Sequence, residues 1–183
     1  MDRRVARTKK AIRNAFLTLI IEKGIDKITV KEVADRADVD RKTVYNYYKS
    51  VADILGEIEN ELIAHFEEAM GSLAGTYDPK AYFIMLADLI EKDIELYELL
   101  MRSSHSTFVI KTVVVLNKWL QKALTKKGNL DEEKVATATE YVAAGLFCAY
   151  RSWFASDRKK SLRDFSLEIC ELVMHGLPTY FLR

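Results

Sequence analysis

The chain is predicted to be all-α, with a small N-terminal three-helix unit followed by a larger helical body. Three observations carry that expectation. Apolar residues recur at helical spacing through most of the 183 residues, 49% of which are hydrophobic. Only seven glycines and two prolines interrupt them, so few places favour turns or breaks. Between Thr29 and Ser50, helix-start signals also recur at intervals suited to two short helices joined by a tight turn.

Taken in order, the apolar run from Ala15 to Ile21 is short and amphipathic. Thr29-Val30-Lys31-Glu32 then reads as a capping box, in which the threonine hydroxyl and the glutamate carboxylate each satisfy the other's free amide. The helix it opens buries Val30, Val33, Ala34 and Ala37. Asp38-Val39-Asp40 forms the turn, and the Asp40 side chain is expected to cap the next helix. In that helix Val44 and Tyr48, one turn apart, point inward with Val39.

The outer face is left to Arg41, Lys42, Thr43, Tyr45, Asn46, Tyr47 and Lys49. Cations suit phosphates, a hydroxyl and an amide suit base edges, and phenols can bond phosphates. A helix displayed in this way fits the DNA major groove. With Thr29 at the entry of the preceding helix, these residues are the candidate DNA contacts. Ser50-Val51-Ala52-Asp53 is a further capping signal, and it places a boundary between residues 1–50 and 51–183.

Charge is polarised along the chain. Through Lys49 there are 13 Lys and Arg against 7 Asp and Glu; beyond it there are 15 against 20. A basic head on an acidic body favours approach to a polyanion by one end. Arg3, Arg4, Arg7, Lys9, Lys10 and Arg13 crowd the start and read as a source of non-specific phosphate attraction.

The body begins with a helix over about 51–72, acidic at Glu57, Glu59, Glu61, Glu67 and Glu68. Asp78-Pro79 starts a helix or helix pair reaching about Arg102, with Phe83, Leu86, Ile90, Ile94, Tyr97 and Met101 inward. A further helix carries Phe108, Val109, Thr112, Val113, Leu116, Trp119 and Leu120. The last two helices span about 131–155 and 161–177. Their stripes are Val135, Ala138, Val142, Gly145, Leu146, Ala149 and Trp153 on one, and Leu162, Phe165, Ile169, Leu172, Val173 and Gly176 on the other. Two such hairpins can close a four-helix interface about a two-fold axis, so a homodimer is expected.

The head resembles the TetR family of bacterial transcriptional regulators. The resemblance runs from about Thr8 to Leu55 and includes Thr43-Val44-Tyr45-Asn46-Tyr47-Tyr48-Lys49, which is similar to the family's T-[LV]-Y-x-[YH]-[FY]-K stretch. It implies that Thr43, Tyr45, Asn46, Tyr47 and Lys49 touch DNA and that Tyr48 is buried. The chain departs from the family pattern at Asp38, where glycine is usual, at Asp40, where serine or threonine is common, and at Val51, where lysine is frequent.

The resemblance also implies an effector cavity in the body. The candidate wall residues are Phe83, Tyr97, Met101, His105, Phe108, Trp119, Tyr141, Phe147 and Tyr150. The segment GLFCAYRSWFASDRKKSLRDF is similar to a Firmicutes-type branch of the family, some of whose members answer to a protein partner and not to a small molecule. A homodimeric repressor of a near-palindromic operator is the expected function. An adaptor or activator with a protein-binding body is the alternative, and a helical ligand carrier or enzyme a remote one.

No catalytic motif, cofactor site or metal set is expected. His65, His105 and His175 lie far apart, and Cys148 and Cys170 lack metal-site spacing. Glu61, His65 and Glu68 share a helical face but read as surface contacts. The start of the chain does not read as a signal peptide, and no apolar run reaches membrane-spanning length, so a cytoplasmic protein is expected.

Overall fold

The computed structural model describes residues 3–73, 78–103, 106–125 and 131–181. Their regular structure is helical: α1 (Arg3–Lys23), a 3-10 turn (Ile25–Lys27), α2 (Val30–Arg36), α3 (Arg41–Tyr45), α4 (Val51–Ser72), α5 (Pro79–Glu91), α6 (Ile94–Arg102), α7 (Phe108–Thr125), α8 (Glu132–Ala155) and α9 (Leu162–Phe181). These residues form two compact units. One holds Met1–Leu62 with Glu95–Thr107, and the other holds Ile63–Ile94 with Phe108–Arg183. The unit containing the head thus continues twelve residues into α4, past the expected division at 50/51.

Helix starts follow side-chain chemistry. Thr29 and Glu32 close the capping box: the Glu32 amide donates to the Thr29 hydroxyl at 3.3 Å and the Thr29 amide to the Glu32 carboxylate at 2.9 Å. Ser50 accepts from the Asp53 amide, Asp78 from the Lys80 amide, and Asp131 from the amides of Glu133 and Lys134. Asp40 departs from expectation. It occupies the N-cap position of α3, but its carboxylate accepts no capping hydrogen bond. Its backbone carbonyl takes the amides of Thr43 and Val44 instead, at 2.8 and 3.2 Å.

In the first unit, Ile12, Phe16 and Ile20 of α1, Val33 of α2, Val44 of α3 and Ile54 of α4 are fully buried. In the second, α5 packs along α9 and α7 along α8, around Ala87, Ala143, Phe154 and Cys170. Burial pushes the Cys170 thiol above its ordinary value. α9 is interrupted at Gly176, whose φ of 72° and ψ of 175° suit glycine alone. No helix among the described residues is long and apolar enough to cross a membrane.

Candidate nucleic-acid interface

The turn between α2 and α3 is built as the residues require. Asp38 adopts φ 53°, the left-handed region that a short polar side chain tolerates. The Val39 amide returns to the Ala34 carbonyl at 3.1 Å. α3 continues past Tyr45 through turns closed by Asn46, Tyr47 and Tyr48, whose amides donate to Lys42, Val44 and Val44. Val44 and Tyr48 are buried, and Val39 is half-buried.

Outside, Arg41, Lys42, Tyr45, Asn46 and Lys49 are exposed and Thr43 and Tyr47 half-exposed. Among the described residues, none of these seven side chains has a hydrogen-bond or ion-pair partner. Four other cations of the head are committed. Lys9 pairs with Glu57 at 2.6 Å and Arg36 with Glu22 at 2.7 Å, while Arg13 grips Glu61 with its two terminal guanidinium nitrogens and Lys23 holds Glu32. A helix face that leaves its donors and cations without a partner is suited to an external anion. Thr29 differs from its companions, because its hydroxyl and amide both serve the capping box.

Two expected phosphate attractors have structural roles. Lys9 and Arg13 lie one turn apart on α1, and their partners Glu57 and Glu61 lie one turn apart on α4. Their distance of 48 residues in sequence hid the pairing. Glu57 also accepts the Tyr48 hydroxyl at 3.0 Å, and the Lys9 ammonium sits 5.3 Å from the centre of the Tyr48 ring. Burial, followed by the charge of Glu57, raises the Tyr48 phenol well above its ordinary value.

Glu59, between those two carboxylates in sequence, points to the opposite side of α4 and is 1% exposed. It accepts from the Ser106 hydroxyl at 2.8 Å and from the Thr107 amide and hydroxyl at 2.9 and 2.6 Å. A buried carboxylate requires such donors. Nothing in the local sequence marked Glu59 out from its acidic neighbours.

The expected effector residues divide between the units. Tyr97 and Met101 are buried in the first. In the second, Phe83, Phe108 and Tyr150 are buried and Trp119 and Phe147 half-buried. Trp119 meets Tyr82 edge-on at 4.5 Å, and Tyr150 shares a 2.7 Å hydrogen bond with Ser166. Burial pushes the Tyr150 phenol up to about 12. Tyr141 does not stand in an interior wall. It lies on the outer face of α8 and is 76% exposed. His105 lies outside the described residues. An open groove of about 430 Å³ runs along α5 and α9, lined by Lys80, Asp164, Leu167, Glu168 and Glu171 and by none of the expected residues.

The expected dimer stripe is likewise split. Val135, Leu146, Trp153 and Leu162 are buried inside the chain, and Trp153 donates its indole N–H to the Lys160 carbonyl at 3.1 Å. Their side chains have little surface left to offer a partner. Val142, Ala149, Phe165, Ile169 and Leu172 are half-exposed. Ala138, Gly145 and Val173 are exposed, next to Tyr141, Cys148 and Met174, which the stripe omitted. The signal for Tyr141 and Cys148 was one of helical phase, since they follow Ala138 and Gly145 by three residues each.

Residues 12–58 match the model of the bacterial regulatory proteins of the tetR family. The uncharacterized HTH-type transcriptional regulator YdeS of Bacillus subtilis (strain 168) is 40% identical over 48 residues, 26% of this chain and 24% of that protein. The fatty acid degradation regulator FadR from Bacillus halodurans has a similar fold, with a TM-score of 0.73 at 23% identity over 93% of this chain and 96% of its own. The B. subtilis FadR, solved with stearoyl-CoA, gives 0.63 at 20% identity over 92% and 98%. The structural likeness therefore extends well beyond the head.

Proposed function

We propose that the chain, whose residues 12–58 match the model of the bacterial regulatory proteins of the tetR family, is a transcriptional regulator, a repressor that binds a near-palindromic operator as a homodimer. The observation that carries this reading is the unpaired outer face of the α3 segment. Arg41, Lys42, Thr43, Tyr45, Asn46, Tyr47 and Lys49 reach solvent with their donors free, on a helix held from behind by Val44 and Tyr48. Lys49, Arg41 and Lys42 take phosphates, whereas Thr43 and Asn46 read base edges. Thr29 supports them by fixing the start of α2.

The reading needs two heads, set about one helical turn of DNA apart or slightly more. A second copy meets the exposed face of α8 at Ala138, Tyr141, Gly145 and Cys148, with Val173 and Met174 of α9 beside it. Support comes from the exposure of Tyr141 and Met174, 76% and 52% in the single chain.

An effector with an apolar part acts on the body and changes the separation of the heads. α7 supports this. Its sequence is apolar on nearly every side, yet Phe108 is the single buried one among its described side chains. Val109, Val113, Leu116, Trp119 and Leu120 are half-exposed, and an apolar ligand would cover such surface. The stearoyl-CoA of the B. subtilis FadR makes long-chain acyl thioesters the first class to test.

The test is selection of bound fragments from genomic DNA, followed by titration of a selected fragment with and without acyl-CoA. Saturable, sequence-selective binding that acyl-CoA weakens supports the whole reading. Binding that acyl-CoA leaves unchanged rejects that effector class. No selective binding rejects the regulator.

A further inference from the structure

The cations of α1 form two sets. Lys9 and Arg13 share one face and are held by Glu57 and Glu61. Arg3, Arg7, Lys10 and Asn14 follow the i, i+4, i+7, i+11 spacing of a different face, turned away from buried Ile12, Phe16 and Leu19. All four are exposed, and among the described residues none has a side-chain partner.

This face is also unfavourable for an isolated helix. Asp2 precedes the helix in sequence, but no Asp or Glu occurs from Arg3 to Ile21, and the first turn holds no acid. Cations gathered at the positive end of a helix dipole repel it and one another until an anion neutralises them. The neighbourhood identifies that anion. Lys9 is 5.3 Å from the Tyr48 ring, and Glu57 bonds both residues. The basic end of α1 therefore lies beside the end of the α3 segment, where Tyr47 and Lys49 are free.

We propose that Arg3, Arg7, Lys10 and Asn14 form a second DNA-docking ridge, which holds backbone phosphates flanking the half-site read from α3. The proposal rests on the DNA-binding reading above. From Arg3 to Asn14 the ridge spans roughly 16 Å at about 1.5 Å per residue, against a rise of roughly 3.4 Å per nucleotide on one strand. It covers roughly four to five nucleotides of one strand, enough for each of its three cations to reach a separate phosphate. Arginine offers paired N–H donors to a phosphate, lysine a point charge and asparagine an amide donor. None of these contacts reads a base, so the ridge adds affinity and footprint without altering sequence preference.

The experiment compares the full-length protein with its R3Q/R7Q/K10Q variant on a selected operator. Binding is measured over a salt series, hydroxyl-radical protection maps the footprint, and circular dichroism verifies the helices. The slope of log affinity against log salt is expected to become shallower by up to about 2.7 for each subunit, about 5.4 for the homodimer, at about 0.9 per phosphate. Protection should recede from the outer edges, while the ratio of cognate to scrambled affinity stays constant. An unchanged slope and footprint beside salt-dependent wild-type binding overturns the ridge and leaves the α3 reading standing. A wild type that binds no DNA overturns both. Binding of phosphatidylserine vesicles that the variant loses, with DNA binding unaltered, assigns the ridge to a membrane surface and also overturns the proposal.

Discussion

The Tyr48 hydroxyl donates to the Glu57 carboxylate at 3.0 Å, tying the end of the α3 segment to the second turn of α4. The same carboxylate holds Lys9 of α1. Three helices of the head thus share one acceptor, and Tyr48 takes part through both its ring and its oxygen. Tyr48→Phe keeps the buried ring and removes the bond. A hydrogen bond to a charged group contributes about 1.5–3 kcal/mol when buried; Glu57 is partly exposed, so a loss of about 1 kcal/mol is expected. Thermal unfolding measures that loss. DNA affinity should fall as well, because Tyr47 and Lys49 flank the freed residue.

The capping box makes part of the stability of α2 dependent on acid. The Lys23 ammonium, then the Thr29 hydroxyl and amide, hold the Glu32 carboxyl at about 2, below an ordinary value of 4.5. A lowered folded pKa means that the contribution is complete above about 4.5 and is lost as pH falls toward 2. Thr29→Ala, which costs about 1 kcal/mol for a lost N-cap, should flatten stability across that window. Urea unfolding from pH 5 to 2 measures it, and parallel curves for wild type and variant would exclude the Thr29 hydroxyl as a source of that dependence.

Tyr150 and Ser166 form a buried polar pair, with Ser166 fully inaccessible. Tyr150→Phe leaves the serine hydroxyl without that partner, and about 1–3 kcal/mol should be lost. Adding Ser166→Ala should recover part of the loss, so the double-mutant cycle gives a favourable coupling. Zero coupling in denaturant unfolding would show that the two hydroxyls act independently.

The two sides of α8 should respond differently. Leu146→Ala empties a buried site and should cost about 2–5 kcal/mol in unfolding. A side chain at Gly145 meets nothing within 4 Å in the single chain, and Tyr141 is 76% exposed. Gly145→Glu and Tyr141→Glu should therefore retain the helical spectrum and shift sedimentation toward monomer. Unchanged sedimentation would place the two-fold elsewhere.

Much of the head could be read in the chain because its determinants are local. Thr29 and Glu32 are three residues apart, and Val33, Ala34, Val44 and Tyr48 follow helical spacing. The Lys9–Glu57 and Arg13–Glu61 pairs could not be read, because they join helices distant in sequence. Basic residues look alike whether their partner is a phosphate or a carboxylate of the same chain. α8 defeats a reading by stripe for another reason. It carries Val135, Leu146 and Trp153 on the buried side and Ala138, Tyr141 and Gly145 on the other, so small and apolar residues cover too much of its circumference to define one phase.

The most direct measurement of the central claim is the affinity of wild type, Lys49→Ala, Thr43→Ala and Asn46→Ala for a selected operator and its scrambled counterpart over a salt series. Wild-type affinity should fall steeply with salt. Lys49→Ala should weaken both DNAs about equally and make the slope shallower by about 0.9 for each subunit, about 1.8 for the homodimer. Thr43→Ala and Asn46→Ala should reduce the operator-to-scrambled ratio, by about fivefold to 150-fold if either side chain accounts for about 1–3 kcal/mol of base discrimination. Four proteins with the same slope and the same ratio would contradict the assignment of this helix to the major groove.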